Sequence, residues 1–495
     1  MIEANTPPVG ASAAAVGAPA AAALSSAAEM GTPTGQLKQS LRGRHLMMIS
    51  IGGIVGGGLF VGSSTSIRAA GPAAFLSYAL TGLIILMIMR MLSEMAASSP
   101  HARSFTEYAR AGLGNGAGFV TGWLYWYVWV MTVPIEAIAG ATILQRWIPL
   151  SQFQLGLALM SVMTIVNLQS ARSYAEFEFW FASIKVAAII AFIVLAASYA
   201  FGWTAPQVAG IHHATFANLT DHGGFVPNGW IAVLAAVPTA FFSMTGAEIT
   251  TIAAVESAHS STAVARMSSL VIWRILFFYV VSLFLIVSVA PWSDVRSGES
   301  PFTLALATMQ IPWADSIMTF IILTAVLSCL NSAFYVSSRI LFVLAERGDA
   351  PALMIRLNAR RVPMGSVLAG SAAGFVGIIL ATKAPQQVFD FLVSSTGAIV
   401  IFVYLIMATA QIQLRKRRRR EGRAEPAVTM WLFPWLSYAT IVAMGLVLIA
   451  MAITPSLQLD FKLSCVTLGL VIMAYWSLVA HRRFRSNAAA HNLPQ

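Results

Sequence analysis

The sequence predicts an all-α polytopic membrane protein with about twelve membrane-spanning helices, and three observations support this fold class. Of the 495 residues, 58% are hydrophobic and 10% are charged, whereas soluble domains carry about a quarter charged residues. The apolar residues form repeated stretches of about 20, which is the length a helix needs to cross a bilayer core. The basic residues gather in alternate loops, as expected of a protein that crosses the membrane repeatedly.

Short polar breaks divide the chain into twelve predicted spans. An even number of spans places both termini on the same side of the membrane. Residues 1–36 are predicted to be a disordered N-terminal tail, residues 37–484 a single transmembrane domain, and residues 485–495 a C-terminal tail. The predicted spans are 46–69, 73–97, 116–147, 154–170, 175–201, 229–255, 268–291, 313–345, 362–382, 388–411, 431–453 and 463–481.

The placement of the basic residues decides what the net charge of +11 means. Of 30 Lys and Arg residues, 21 fall in loops predicted to lie inside, and the outer loops hold five, namely Arg68, Arg146, Arg296, Lys383 and Lys462. This asymmetry follows the positive-inside rule. We therefore interpret the basic run 415–420 as a topology anchor rather than a DNA or lipid-recognition site. The expected location is the inner (plasma) membrane with both termini cytoplasmic, in contact with lipid and without a nucleic-acid partner.

Two predicted spans carry residues that interrupt a helix. The first has five glycines between positions 52 and 58, each costing about 1 kcal/mol in a helix. The sixth has Pro238, Ser243, Thr245 and Gly246 near its middle. Non-helical backbone at membrane depth is tolerated where it lines a cavity. The interruptions are five spans apart, which predicts two inverted repeats, about 46–201 and 229–411, followed by extra helices at about 431–481. The alternative is that small residues only permit close helix packing.

An interrupted span exposes backbone groups that a continuous helix keeps bonded. On the first span, the N–H groups of Gly56, Gly57 and Gly58 are predicted to bind a carboxylate. On the sixth, carbonyls of Phe242, Ser243 and Met244 are predicted to accept hydrogen bonds from an ammonium group. A zwitterion fits between the two.

Ionisable residues inside the bilayer are functional candidates because their burial is costly. Lys185 lies in the middle of the fifth span, where it could replace a bound sodium ion by gaining and losing a proton. A permanently paired structural lysine is the alternative. Glu248 is a candidate for contacting the substrate ammonium or relaying the coupling proton. Glu136 is a second candidate for proton coupling, with a structural role as the alternative, and Glu94 is expected to be solvated or paired at a gate.

Other kinds of site find little support in the sequence. The two cysteines exclude a disulfide framework, and no Cys or His cluster has metal-ligand spacing. No HExxH motif or nucleophile with a nearby base suggests an enzyme. We therefore expect no catalytic activity, no metal and no cofactor. The aromatic run at 123–129 is interpreted as an interfacial belt rather than a substrate cage.

Several motifs resemble the amino-acid transporter branch of the APC superfamily: segments 50–63, 176–181 with Lys185, and 242–248. Segments 122–126, 246–254, 328–333 and 347–352 are most similar to its 4-aminobutyrate permeases. The resemblance implies a LeuT/APC-type five-plus-five inverted repeat with two extra C-terminal helices, inward termini and proton symport. It also implies a carboxylate site over Ile54, Val55, Gly56, Gly57 and Gly58, an amino-group site over Phe242, Ser243, Met244, Thr245 and Gly246, and a coupling role for Lys185. Gly57 stands where the family more often has Ala, Ser or Thr, which leaves the substrate open.

The expected function is proton-coupled import of a zwitterionic amino acid, 4-aminobutyrate first and a neutral α-amino acid second. Alternating access would rock spans one, two, six and seven against the remaining spans. Amino-acid exchange without net proton movement is an alternative in the same fold. A membrane sensor that binds an amino acid without moving it is an alternative of a different class.

Overall fold

The computed structural model describes residues 54–98, 105–169, 174–203, 216–246, 248, 261–360 and 362–491. These residues form helices that follow the order of the predicted spans, which we number 1 to 12. Two short helices, Phe105–Leu113 and Pro301–Thr308, lie between spans 2 and 3 and between spans 7 and 8. The spans are Gly57–Phe60 with Ser63–Ala70, Ala74–Ser98, Asn115–Leu144, Gln152–Gln169, Tyr174–Ala200, Gly229–Ala235 with Val237–Met244, Ser261–Val289, Ala314–Glu346, Met364–Leu380, Pro385–Arg420, Trp435–Ile453 and Gln458–His491.

Seven helical stretches in the described residues are long and apolar enough to cross a bilayer, and three shorter apolar helices accompany them. One of the seven, Gly57–Ser98, has 42 residues and would be about 63 Å long as a single helix, twice the bilayer core. Gly71, with a φ of 67°, begins a 3₁₀ turn over Gly71–Ala73 that divides this stretch. Since a positive φ suits glycine, the chain turns here and forms spans 1 and 2, as the sequence predicts.

Spans 3 and 10 form the centre of the bundle. Of the 18 most apolar consecutive residues in each of them, 78% are buried inside the protein, against 6% in span 12. Span 3 packs against span 8, span 2 against span 7, and span 6 against span 10. Span 12 therefore has most of its surface outside the core of the protein, while spans 3 and 10 line the interior where the interrupted spans lie.

Span 10 is longer than its apolar part. It runs over Pro385–Arg420 with 36 residues, about 54 Å, whereas the sequence predicts a span over 388–411. The helix continues through the basic run because arginines at a helix C-terminus interact favourably with the helix dipole. Its last turns therefore project beyond a bilayer core of about 30 Å.

A buried ion pair links this projecting end to span 2. Arg415 donates to Glu94 Oε2 over 3.2 Å, and the same oxygen accepts from Gln411 Nε2 at 3.0 Å and from the Met430 N–H at 2.6 Å. Glu94 is thus paired rather than solvated. Farther out, hydrogen bonds from Arg419 and Arg415 lower the pKa of the exposed Glu425 carboxyl. The basic run therefore includes one arginine that holds helices together.

Candidate substrate site at the two interrupted spans

Span 1 is interrupted at Val55 and Gly56, where the backbone leaves the helical conformation. Gly56 is extended, with φ −137° and ψ −156°, and a short helix begins at Gly57. The Gly56 carbonyl accepts from the N–H groups of Leu59 and Phe60 at 3.2 and 3.3 Å. All of these residues are buried. The irregular backbone that the glycines predict is therefore present, in the interior of the protein.

One of the predicted carboxylate-binding N–H groups faces a carboxylate of the protein itself. The Gly57 N–H donates to Glu136 Oε2 over 3.2 Å. A Cβ atom at Gly57 would lie 2.5 Å from that oxygen, so a larger residue at this position would displace the Glu136 carboxylate. At Gly56 a Cβ atom would lie 2.7 Å from Cys329 Sγ. Span 3, through Glu136, and span 8, through Cys329, thus close over the interruption.

Span 6 is interrupted twice. Ala236 separates its two helices, Pro238 lies at the start of the second, and that helix ends at Met244. Beyond it, Thr245 is extended and Gly246 has a φ of 112°, a conformation that favours glycine. The Thr245 N–H donates to the Phe242 carbonyl at 3.1 Å, so this predicted ammonium acceptor already has a donor.

The two interrupted spans, 1 and 6, contact each other close to their interruptions. Ser243 Oγ donates to the Gly58 carbonyl over 2.6 Å, and it also lies 3.1 Å from the Tyr78 hydroxyl of span 2. A Cβ atom at Gly58 would lie 2.7 Å from Ser243 Cα, so the absence of a side chain at Gly58 allows the backbones to approach. The structure thus brings together residues 185 positions apart that the sequence assigns to one site.

A tyrosine from a third span joins the two interruptions. The Tyr279 hydroxyl on span 7 lies 3.0 Å from the Ile54 carbonyl oxygen and 2.8 Å from the Ser243 carbonyl oxygen. Tyr279 is wholly buried. The Ser243 carbonyl, which the sequence assigns to the substrate ammonium, therefore accepts from a side chain in this structure.

Glu248 faces spans 3 and 10. Its carboxylate accepts from the Tyr404 hydroxyl at 2.9 Å and from the Gly246 N–H at 3.3 Å, and it interacts electrostatically with Tyr125. Glu248 is 1% exposed. These contacts hold the end of span 6 against spans 3 and 10.

Lys185 and Glu136 meet neighbouring residues of span 8. The Lys185 ammonium donates to Ser328 Oγ over 2.9 Å, while Glu136 is hydrogen-bonded to the thiol of Cys329, the next residue, and interacts electrostatically with Lys185. Both ionisable side chains are buried, with exposed fractions of 0% and 1%. The two residues predicted to couple protons thus lie in one cluster beside the span 1 interruption.

Sequence reasoning did not assign the residues that pair with the predicted ones. Tyr279, Ser328, Cys329, Tyr404 and Tyr125 supply these partners, and a polar side chain inside an apolar span was the available signal for each. The belt interpretation of the run 123–129 is wrong for Tyr125 and Trp129, which are 2% and 1% exposed. They face the protein interior because span 3 is central, whereas belt residues contact the lipid interface.

Comparisons with known proteins agree with this architecture. Residues 45–488 match the amino acid permease family. A gamma-aminobutyric acid permease of Bacillus subtilis is 43% identical over 92% of this chain and 96% of its own length. A probable GABA permease of Pseudomonas aeruginosa is 46% identical over 85% of this chain and 88% of its own length. An aromatic amino acid transport protein of Corynebacterium glutamicum is 36% identical over 89% of this chain and 95% of its own length.

Among solved structures, a mutant manganese transporter of Eremococcus coleocola is similar in fold. Its TM-score is 0.55 at 16% identity, covering 92% of this chain and 98% of that chain. The relatives are transporters and permeases rather than enzymes, and the helices here follow the order of a five-plus-five inverted repeat with two extra C-terminal helices. The protein is therefore a multi-pass membrane protein that belongs to the amino acid permease family of the APC superfamily.

Proposed function

We propose that the protein imports 4-aminobutyrate together with protons. One observation carries this proposal: the two interrupted spans touch, with an N–H of Gly57 facing a carboxylate on one side and the carbonyls of Ile54 and Ser243 facing a hydroxyl donor on the other. Such a pair of polar groups is complementary to a zwitterion. Relatives that are 42 to 46% identical and named as gamma-aminobutyric acid permeases support 4-aminobutyrate as the first candidate.

In this proposal each end of the substrate binds one interruption. The substrate carboxylate binds the N–H groups of the first span. The ammonium binds carbonyls of the sixth span together with the neighbouring Ile54 carbonyl, and Glu248 adds negative charge nearby. The proposed binding residues are Ile54, Val55, Gly56, Gly57, Gly58, Phe242, Ser243, Met244, Thr245, Gly246 and Glu248.

Proton coupling is assigned to Lys185, with Glu136 as its partner. When charged, the Lys185 ammonium holds span 5 to Ser328 of span 8 over 2.9 Å. When neutral, it loses the charge-assisted part of that hydrogen bond, which loosens the contact between the two halves. In this proposal the buried lysine replaces a bound sodium ion.

The remaining organisation follows from the same proposal. The protein would lie in the plasma membrane, in contact with lipid, with both termini in the cytoplasm. Repeats of about 46–201 and 229–411 would alternate the access of the site, and helices at about 431–481 would lie outside the repeats. The proposed N-terminal tail, 1–36, lies outside the described residues, as do the last residues of the proposed C-terminal tail, 485–495.

A second candidate substrate is a neutral or aromatic α-amino acid. Relatives named as aromatic amino acid transport proteins are 33 to 36% identical over most of this chain, and an α-amino acid carries the same two charged groups. Exchange of amino acids without net proton movement is the second candidate mechanism. A non-transporting sensor is the candidate from a different class.

The test is radiolabelled uptake into proteoliposomes with an imposed inward proton gradient. We expect the gradient to drive accumulation of 4-aminobutyrate by the wild type, and Lys185→Ala to abolish it. Lys383→Ala removes an exposed lysine instead and serves as the matched control, with uptake unchanged. Absence of wild-type uptake rejects 4-aminobutyrate and directs the assay to the other amino acids. Uptake that is independent of the proton gradient, or that persists in Lys185→Ala, contradicts the coupling role and favours exchange.

A further inference from the structure

Tyr279 contacts backbone oxygens of both interrupted spans with a single hydroxyl group. Its oxygen lies 3.0 Å from the Ile54 carbonyl oxygen of span 1 and 2.8 Å from the Ser243 carbonyl oxygen of span 6. A phenolic hydroxyl carries one proton, so it donates fully to one of these oxygens at a time. The acceptors at this point outnumber the protons that Tyr279 supplies.

The two carbonyl oxygens share the single proton of the Tyr279 hydroxyl, and this sharing has a physical consequence. A buried carbonyl oxygen without a full hydrogen bond is unfavourable, more so at membrane depth where water does not replace the missing donor. Both oxygens belong to buried residues. A ligand group with several N–H donors is therefore favoured at this point over one with none.

An ammonium group meets this requirement. It carries three donors, and its hydrogen bonds to carbonyls are charge-assisted and stronger than those of a neutral hydroxyl. We propose that the Tyr279 hydroxyl occupies the hydrogen-bonding position of the substrate ammonium and yields the Ile54 and Ser243 carbonyls when the substrate binds. This inference rests on the proposed amino-acid substrate and identifies the residue that sets the affinity for its amino group.

This role of Tyr279 also provides selectivity. A carboxylic acid without an ammonium group has no donors to offer these carbonyls, so the Tyr279 hydroxyl keeps them. The tyrosine ring packs against Tyr78 of span 2, with centroids 6.0 Å apart, and this contact positions the hydroxyl between the spans. Tyr279 is thus a positioning residue whose competition with the ligand depends on the ligand's amino group.

The first experiment measures equilibrium binding of radiolabelled 4-aminobutyrate to purified protein in nanodiscs, with butyrate as the competing ligand that lacks the ammonium group. Tyr279→Phe removes the competing donor, so we expect the Kd for 4-aminobutyrate to fall by about three- to tenfold, the value of one hydrogen bond. The inhibition constant of butyrate should stay unchanged. In uptake assays KM and kcat should fall together, because tighter binding slows release.

Tyr78→Phe is the matched control. It removes a neighbouring buried hydroxyl that contacts Ser243 Oγ and leaves both carbonyls with Tyr279, so the ratio of 4-aminobutyrate affinity to butyrate affinity should not change. A higher Kd in Tyr279→Phe would overturn the proposal, because the hydroxyl would then contact the bound substrate itself. An unchanged Kd would overturn it too, since the two carbonyls would not form the ammonium site.

A second measurement does not depend on the folding of a variant. Fluorine NMR of otherwise wild-type protein with 3-fluorotyrosine at position 279 should show a shift on adding 4-aminobutyrate and none on adding butyrate; equal responses to both ligands contradict the proposed role of Tyr279. If the wild type fails to bind 4-aminobutyrate, the proposed substrate is rejected. The same comparison then uses L-phenylalanine against 3-phenylpropionate, which differ by the ammonium group, and still tests Tyr279.

Discussion

Glu136 places an ionisable group at the point where the substrate carboxylate is proposed to bind. Its Oε2 accepts the Gly57 N–H over 3.2 Å. If a second carboxylate approached to about 4 Å while Glu136 stayed ionised, their repulsion would be about 4 kcal/mol at an effective dielectric constant near 20. The substrate therefore enters at lower cost when Glu136 is protonated or moved aside. Under the proposed function, this repulsion would couple substrate binding to protonation of Glu136, in addition to the role proposed for Lys185.

The fit between Gly57 and Glu136 gives the first prediction. A methyl group at Gly57 would lie 2.5 Å from Glu136 Oε2, and overpacking of this kind costs about 1–3 kcal/mol. We expect Gly57→Ala to reduce uptake about tenfold or more, and Glu136→Asp in the same chain to restore part of it, because the shorter side chain withdraws the carboxylate. The measurement is initial uptake rate at matched protein levels.

Gly56→Ala is the control for this pair. Its methyl group would meet the Cys329 side chain first, at 2.7 Å, so Glu136→Asp should not rescue it. Equal rescue of both glycine variants would show that Glu136→Asp acts by a general loosening of the site, and the specific contact would be rejected.

At the scale of the helices, the sequence predicts the spans and the positions of their interruptions, because apolar length and glycine or proline content are local properties. It places span 10 over 388–411, whereas the helix covers Pro385–Arg420, since hydropathy reports the part of a helix in lipid and not where the helix ends. The partners of Glu248, Lys185 and Ser243 were not predicted. Those contacts join residues on different spans, and no pattern within one span encodes which residue of another span faces it.

The packing of span 10 against span 6 depends on one glycine. A Cβ atom at Gly397 would collide with the Pro238 carbonyl group. Because the obstacle is backbone at the interrupted part of span 6, a change of rotamer cannot relieve the collision. The two helices would have to separate, and the contacts that hold Glu248 to Tyr404 of span 10 would be disturbed with them.

We therefore expect Gly397→Ala to lower the free energy of unfolding by about 3 kcal/mol, at the upper end for overpacked cores, and to abolish uptake. The measurement is the midpoint of thermal unfolding in detergent. Gly445→Ala on span 11 is the control, because its methyl group would meet nothing within 4 Å. It should leave the midpoint unchanged or raise it slightly, as alanine favours helix over glycine by about 1 kcal/mol. Equal midpoints for the two variants would contradict the packing argument.

Across the whole molecule, polar contacts tie the spans together at both ends of the site. At the end carrying Thr65, Asp390 of span 10 accepts from Thr65 Oγ1 of span 1 at 2.6 Å and from Ser297 Oγ of the segment after span 7 at 2.5 Å. At the other end, Asp349 pairs with Arg110 at 2.8 Å and with Arg482 at 3.4 Å. Alternating access requires that contacts at one end break while those at the other persist. From the distribution of basic residues we propose that the Asp349 end faces the cytoplasm.

That assignment can be tested with single cysteines and a membrane-impermeant maleimide, in protein carrying Cys465→Ser so that the buried Cys329 gives the baseline. The positive-inside rule predicts that Arg423→Cys is labelled in inverted vesicles and protected in intact cells, because it follows the basic end of span 10. Lys383→Cys, in the connection between spans 9 and 10, should show the opposite pattern. Both positions are exposed in the structure, so labelling reports the side of the membrane rather than burial. The reverse pattern at both positions would place the basic loops outside and overturn the proposed orientation, whereas labelling of both from one side would contradict the crossing of span 10 itself.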